Sequence, residues 1–478
     1  MMLMLSLTAC STLFKHPKTD TNALNTNALP FEYPQSWQQS TRPKSAQKRA
    51  VDPTPNPVHE PAIQAWLTAF PDPQLEQIVT HTLQANFDLK SSLTRLDSAY
   101  AKIVASGAAR KLKIDHSLQA SRGRQNILSG SEPEHFYSTS LGFGFDVVFE
   151  VDVWRKLKKI QQAAVLDYQS SQQLHRYTQL TLVATTIKAW YQIVESTLLQ
   201  ELIQQRLQNL DDNLDVLREG YQAGLNGPLD IYLARADLQQ ELARQASQAI
   251  LLSEAVRNLQ LIMGQYPSAE LASNNQLPIL LQEIPAGLPA QLLQRRADIV
   301  AAQYQLQASE LNAKVAHLKR FPALRLTSHL GTRSEALKDL FSSDFVVSSI
   351  FASLATPLLD GGKLKSEAQI AYNSLKESEL NFQSAVLNAF REVESALTKA
   401  QQLKQQHAAT KQSATQFQQA QQLAFEQYQA GLVNYITVLE SQRRAFDASK
   451  SEIQLRNQLI QNRIDLHLAL GGDFGPTH

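Results

Sequence analysis

From Tyr137 to Val153 the chain alternates with period two. The odd positions are Tyr137, Thr139, Leu141, Phe143, Phe145, Val147, Phe149, Val151 and Val153, whereas the even ones are Ser138, Ser140, Gly142, Gly144, Asp146, Val148, Glu150 and Asp152. Such alternation predicts an extended strand with an apolar face and a small or acidic one. The run is far longer than the usual strand of about five or six residues. A long strand of a soluble sandwich is one account. A strand with lipid on one side and water on the other, as in a membrane β-barrel, fits the aromatic face better. Lys113–Ile127 is the expected partner, joined through the polar turn 129–133. In the second half Leu324, Leu326, Ser328 and Leu330 alternate with Arg325, Thr327 and His329. After a loop at 332–344 a less regular strand is expected from about Phe345 to Leu359, with Pro357 suited to its end.

Elsewhere apolar residues recur every three to four positions. Leu75, Ile78, Val79, Leu83, Leu89, Leu93, Leu96 and Tyr100 predict helix from Pro71 to Arg110, with a break near Asn86. Arg295–Arg320 has the same character. Two stretches lack Gly and Pro altogether, Trp154 to Glu219 and Lys363 to Ala430. At 1.5 Å per residue each makes a helix of roughly 100 Å. Both lead into the same pentapeptide, Tyr221-Gln222-Ala223-Gly224-Leu225 and Tyr428-Gln429-Ala430-Gly431-Leu432, 207 positions apart. Return helices follow at about 229–263 and 435–470. Above the first pentapeptide, Ile203, Leu207, Leu210, Leu214, Leu217 and Tyr221 form a coiled-coil seam. Above the second, Leu403, His407, Thr410, Ala414, Phe417, Gln421, Ala424 and Tyr428 keep the step with smaller and more polar residues, as expected of a helix bordering water.

The chain therefore reads as a duplication. Residues 61–285 are a first repeat (helix, two strands at about 113–153, long helix, return helix). Residues 286–471 are a second, with strands at about 322–359. A Pro-rich spacer, Tyr266 to Leu288, joins them, and 472–478 form a tail.

Composition narrows the function. Net charge is +1, so there is no electrostatic footprint for nucleic acid. No apolar run approaches the roughly 18–20 residues of a spanning helix. No catalytic constellation is evident, neither Gly-x-Ser-x-Gly, nor a phosphate-binding Gly loop, nor His pairs at metal-ligand spacing. Asp360-Gly361-Gly362-Lys363 reads as a strand-to-helix turn, and His407 as a seam residue. No enzyme activity, cofactor or metal is expected. The single cysteine, Cys10, closes Leu7-Thr8-Ala9-Cys10 after a short apolar stretch. That resembles a bacterial lipobox, although the basic n-region of a signal is missing. It implies a signal peptide over 1–10, a covalent lipid on Cys10, and an extended polar tether over 11–60.

Several stretches together carry a family resemblance. They are Trp66-Leu67-Thr68-Ala69-Phe70-Pro71-Asp72, Asn86-Phe87-Asp88-Leu89, Glu150-Val151-Asp152-Val153-Trp154, Gly287-Leu288-Pro289 through Arg295-Arg296-Ala297-Asp298-Ile299, Pro357-Leu358-Leu359-Asp360-Gly361-Gly362, and both pentapeptides. In order and spacing the chain resembles the TolC-type outer-membrane efflux proteins, within them the OprM-like lipoprotein branch. The resemblance implies a mainly α protein with a membrane β-barrel. Three chains would close a 12-stranded barrel continued by a periplasmic α-helical barrel, since four strands cannot close alone. It further implies a lipid-anchored homotrimer in the outer membrane of a Gram-negative bacterium. Its partners would be a periplasmic adaptor and an inner-membrane pump, proton-driven rather than ATP-driven. Three departures are visible: Arg155 replaces the family's Gly, Leu112 stands near the family's Pro, and Val433 replaces a tip Arg.

The resemblance also nominates sites. Asp230 and Glu440 stand where the family's acidic side chains ring the closed periplasmic entrance, and Tyr428 where a Tyr bonds the Asp of the neighbouring hairpin. Asp230 is equally an ordinary first-turn acid of a helix, and Glu440 equally a solvated one. Gly224-Leu225 and Gly431-Leu432 correspond to the adaptor-docking tips, and Gly there also serves the chain reversal. The expected function is a passive exit duct of a tripartite efflux system. The alternatives are a non-conducting periplasmic coiled-coil scaffold and the exit duct of a type I secretion system. The cargo stays open among drugs, metals, peptides and proteins.

Overall fold

The computed structural model describes residues 70–129, 132–224, 227–273, 276–278 and 289–472. The first half runs α1 (Pro73–Ala85), α2 (Phe87–Ala108), β1 (Lys113–Ser129), β2 (Glu132–Val151), α3 (Lys156–Gln222) and α4 (Pro228–Ile262). The second runs α5 (Pro289–Arg295), α6 (Ala297–Leu318), β3 (Ala323–Ser334), β4 (Val346–Ala355), α7 (Lys363–Gln429) and α8 (Tyr435–Ala469). α3 and α7 each hold 67 residues, and α4 and α8 each hold 35. No described helix is long and apolar enough to cross a membrane.

The strands form one antiparallel sheet in the order β1-β2-β3-β4. Its register has no bulge, so each rung keeps its face across all strands. One face carries Ile114, Val147, Ser328 and Ile350 on one rung, and His116, Phe145, Leu330 and Ser348 on the next. The rung of Leu118, Phe143, Thr332 and Val346 follows. The opposite face carries Asp115, Asp146, His329 and Ser349 on one rung. There Asp146 accepts from Ser117 Oγ at 2.9 Å and lies 2.8 Å from His329 Nδ1. Glycine makes this possible. A Cβ on Gly144 would fall 2.6 Å from the His329 ring, and one on Gly331 only 2.3 Å from the Phe143 carbonyl oxygen.

Below the sheet, Asp152 accepts from the Leu157 and Lys158 amides (2.9 and 2.8 Å) and so caps α3. Asp360 does the same for α7, accepting from Leu364 at 2.8 Å, and these amides hold its carboxyl below the usual range. Arg155 takes the left-handed conformation at φ 57°, as Gly362 does at φ 86° in the repeat. A non-glycine residue pays roughly 1–2 kcal/mol there. The Trp154 ring packs against Phe321 and donates from Nε1 to the Pro322 carbonyl at 2.8 Å. This aromatic pair lies at the strand–helix boundary, where membrane proteins place their belts.

The break at Asn86 has a physical cause. Its side chain accepts from the Leu89 amide at 2.9 Å and donates to the Ile262 carbonyl at 2.8 Å, tying the joint to the end of α4. Helices α2 and α4 both pack along α3, two shorter helices matching one long one. The main core surrounds the middle of α3: Val183, Ile187, Trp190 and Val194 meet Leu75 and Val79 of α1, Leu259 of α4, and Ile460 and Ile464 of α8. A second core joins Leu292 and Ile299 to Val386, Val393 and Leu466.

Three sequence expectations are corrected. The last strand ends at Ala355 rather than Leu359, leaving Pro357 in the connection. The loop expected over 332–344 is shorter, because β3 continues to Ser334 and two single 3-10 turns follow. The helix expected over 295–320 spans Ala297–Leu318, because Arg296 is extended at ψ 119° and separates it from the short α5. The buried Arg296 guanidinium bonds Asp298 (2.7 Å), Glu392 (2.7 Å) and the Ala469 carbonyl (3.2 Å), and so joins α6, α7 and α8. Cys10 and Leu225 lie outside the described residues.

Candidate functional site at the helical tips

Each long helix ends by the same mechanism. Ala430 and Gly431 donate to the Glu426 and Tyr428 carbonyls (3.1 and 2.9 Å), and Leu432 to Gln427 (2.9 Å). Gly431 adopts φ 70° and Gly224 φ 75°, the left-handed conformation that ends a helix and that glycine adopts without strain. A Cβ on either would meet nothing within 4 Å, so the requirement is backbone conformation rather than space. The turns are solvent-facing. Leu432 is 75% exposed, and Tyr221, Leu229, Tyr232 and Ile436, near the ends of the helices at the two turns, are exposed too.

Just above, the two hairpins meet. Leu214 and Leu217 of α3, Ala234 of α4, and Tyr435 and Val438 of α8 form a closed cluster flanked by Ile231, Phe425 and Tyr428. Tyr428 stacks edge-on against Tyr435, with centroids 5.6 Å apart. Burial raises the Tyr435 phenol above its ordinary pKa, and Asp237, Tyr428 and Asp230 add to the effect. Its hydroxyl faces Asn213 without a well-formed hydrogen bond. Of the pair that the resemblance joins, Tyr428 packs on Tyr435 and Asp230 acts on the same phenol through its charge. Asp230 stands half-exposed in the first turn of α4.

Glu440 has a different setting. Arg443 donates to both its oxygens (3.1 and 2.8 Å), and Arg444 donates at 2.8 Å. These two guanidiniums, Arg444 foremost, hold its carboxyl below the usual range. Each Glu440 carboxylate thus has two cations beside it. Val433 is half-buried, and no charge stands in its place.

Sequence reasoning missed one group. Glu241 of α4, 1% exposed, lies 3.1 Å from both Arg206 of α3 and Arg244. The Arg206 guanidinium sits 4.6 Å from the Phe446 ring centre on α8. A buried charge that pairs within one hairpin and stacks on the other links the two. Only the spacing Glu241–Arg244 was legible in the sequence. His407, read as a seam residue, is half-buried on α7 and lies 3.2 Å from Glu452 of α8. Among the described residues no group of His, Cys, Asp or Glu is placed to hold a metal ion.

Comparison with known proteins agrees with this architecture. The outer membrane efflux protein family matches residues 78–265 and 288–472, most of the chain, and the chain belongs to that family. The chain is 27% identical over 439 residues to the probable efflux pump outer membrane protein TtgC of Pseudomonas putida, covering 89% of this chain and 88% of that protein. It is 26% identical over 410 residues to the cation efflux system protein CusC of Escherichia coli K12, covering 85% and 88%. The solved outer-membrane channel OprN shares the fold with TM-score 0.81 at 22% identity, over 90% of this chain and 97% of that one.

Proposed function

We propose that this outer membrane efflux protein is the exit duct of a tripartite efflux system, acting as a homotrimer with a periplasmic adaptor and a proton-driven inner-membrane pump. The observation that carries the reading is the sheet. It is apolar on one face and polar on the other, and among the described residues β1 and β4 each leave an outer edge unpaired. Open edges are not tolerated in hydrocarbon, so closure with further copies is required. Three copies give twelve strands. The long helices leave the sheet directly and carry the tunnel to the tips. No step of chemistry is assigned to the protein; the pump supplies the work. Names among the relatives point to toluene, antibiotics and cations, and the cargo of this chain belongs to the same broad class of small solutes.

The tips supply the gate. Asp230 and Tyr428 restrain the closed entrance around Tyr435, whereas Glu440, clamped by two arginines, sets the charge above it. Gly224-Leu225 and Gly431-Leu432 present the surface on which the adaptor seats. A lipid on Cys10 anchors the tether. Single-channel recording in a planar bilayer tests the reading. Purified trimer should conduct at low open probability, and combining Asp230→Ala with Tyr428→Phe should raise that probability several-fold without changing the open conductance. A protein that stays soluble without detergent and never conducts would instead be the periplasmic scaffold.

A further inference from the structure

The lipid-facing side of the sheet can be read rung by rung. From Val151 to Leu141 of β2 the outward positions of all strands are uncharged. That interval spans ten residues, about 33 Å along the strand at ~3.3 Å each. Tilted by about 40°, it is roughly 25 Å tall, the height of the apolar band of an outer-membrane barrel. Within the band the one ionisable outward side chain among the described residues is His116, edge-on to Phe143 (5.4 Å) and tilted to Phe145 (6.1 Å).

Immediately beyond, the pattern breaks. Arg122 opposes Thr139, and Arg124 opposes Tyr137. Among the described paired positions of this face they are the only permanent charges, and both have the same sign. Both guanidiniums lie 5.8 Å from the Tyr137 ring centre, and Arg124 Nη2 also reaches the His135 ring at 2.8 Å. Arg122, Arg124, His135 and Tyr137 are all exposed. Among the described positions no carboxylate shares the face to neutralise them. Counted along the strand, they stand roughly 5–10 Å above the band's edge, at headgroup depth. The Ser129–Glu132 pair closes the β1–β2 ladder at the end remote from the helices, so this is the exterior leaflet.

We propose that Arg122 and Arg124, held over Tyr137, form a binding site for the phosphate groups of a phosphorylated glycolipid of the lipid A type in the outer leaflet. Guanidinium pairs match phosphate oxygens bidentately, and the tyrosine ring fixes their spacing while its body rests on acyl chains. The site would give each protomer a fixed annular lipid. This inference rests on the sheet being a membrane barrel.

Native mass spectrometry of the purified, delipidated trimer tests it, titrating bisphosphorylated lipid A, dephosphorylated lipid A and phosphatidylglycerol in parallel. Wild type should retain bisphosphorylated lipid A at least tenfold better than the Arg122→Gln/Arg124→Gln double variant. The Arg122→Lys/Arg124→Lys variant should recover part of the difference, and all three should conduct alike in bilayers. Equal retention by wild type and the Gln variant, or equal retention of phosphatidylglycerol and lipid A, would overturn the site while leaving the channel intact. A wild-type protein that neither inserts nor conducts would overturn the barrel reading, and the lipid site with it.

Discussion

The imidazole of His467 lies on α8 against Phe70, ring centres 6.3 Å apart, and is 5% exposed. Burial, with nearby Arg463 second, lowers its pKa to about 4. The folded state thus takes up the proton less readily than the unfolded chain, whose His titrates near 6.5. The stability that goes with the neutral ring is present above that value and is lost as pH falls toward 4. At pH 5 the loss amounts to about 2 kcal/mol per chain. Glu195, whose carboxyl is raised by burial, acts in the opposite sense, so the two are separated by substitution. Thermal melts followed by helical circular dichroism should show wild type losing more stability between pH 7 and pH 5 than His467→Gln. Equal losses would remove His467 from the account. The sequence marked no such role. His467 is one of eleven histidines, and only packing distinguishes it.

At the scale of elements, what repeats was legible and what depends on distant partners was not. Gly- and Pro-free runs delimited α3 and α7 to within a few residues, because a helix that long has only its ends to decide. The period-two run fixed the faces of β2, since alternation is a local property. The end of β4 was misplaced because Pro357 and the apolar pair Leu358-Leu359 prolong the pattern beyond the last ladder partner, Ala355. The start of α6 was placed two residues early because what sets it, a buried guanidinium shared among three helices, is tertiary. At the candidate site, the pentapeptides announced the turns, whereas the arginines on Glu440 and the bridge from Arg206 to Glu241 needed the helices set side by side. The meeting of the hairpins yields a test. Tyr435 is 1% exposed at the centre of the tip cluster, so Tyr435→Ala should cost about 3–5 kcal/mol in local packing. It should loosen the tips, read as faster amide exchange over the last turns of α3 and α7. Tyr435→Phe keeps the ring and should leave exchange unchanged. Similar protection in the Ala variant would mean that the tips are held elsewhere.

At the scale of the molecule, the central claim is that three chains close one barrel, and the internal repeat predicts the seam between them. From β2 to β4 the offset is 207, read from Lys156 and Lys363, and from β1 to β3 it is 210, read from Ala108 and Leu318. Within the chain β2 meets β3 with Asp146 opposite His329. If β4 meets the next protomer's β1 in the equivalent register, Ser353 stands opposite Gln119, both on the water-facing side. Thiol cross-linking of the Gln119→Cys/Ser353→Cys variant in native outer membranes measures this directly. The account predicts covalent species that climb from one chain to two and stop at three, with Gln119→Cys/Ser349→Cys, displaced by four residues, giving little product. Cross-links confined to a single chain, a ladder that runs past three, or none at all would contradict it.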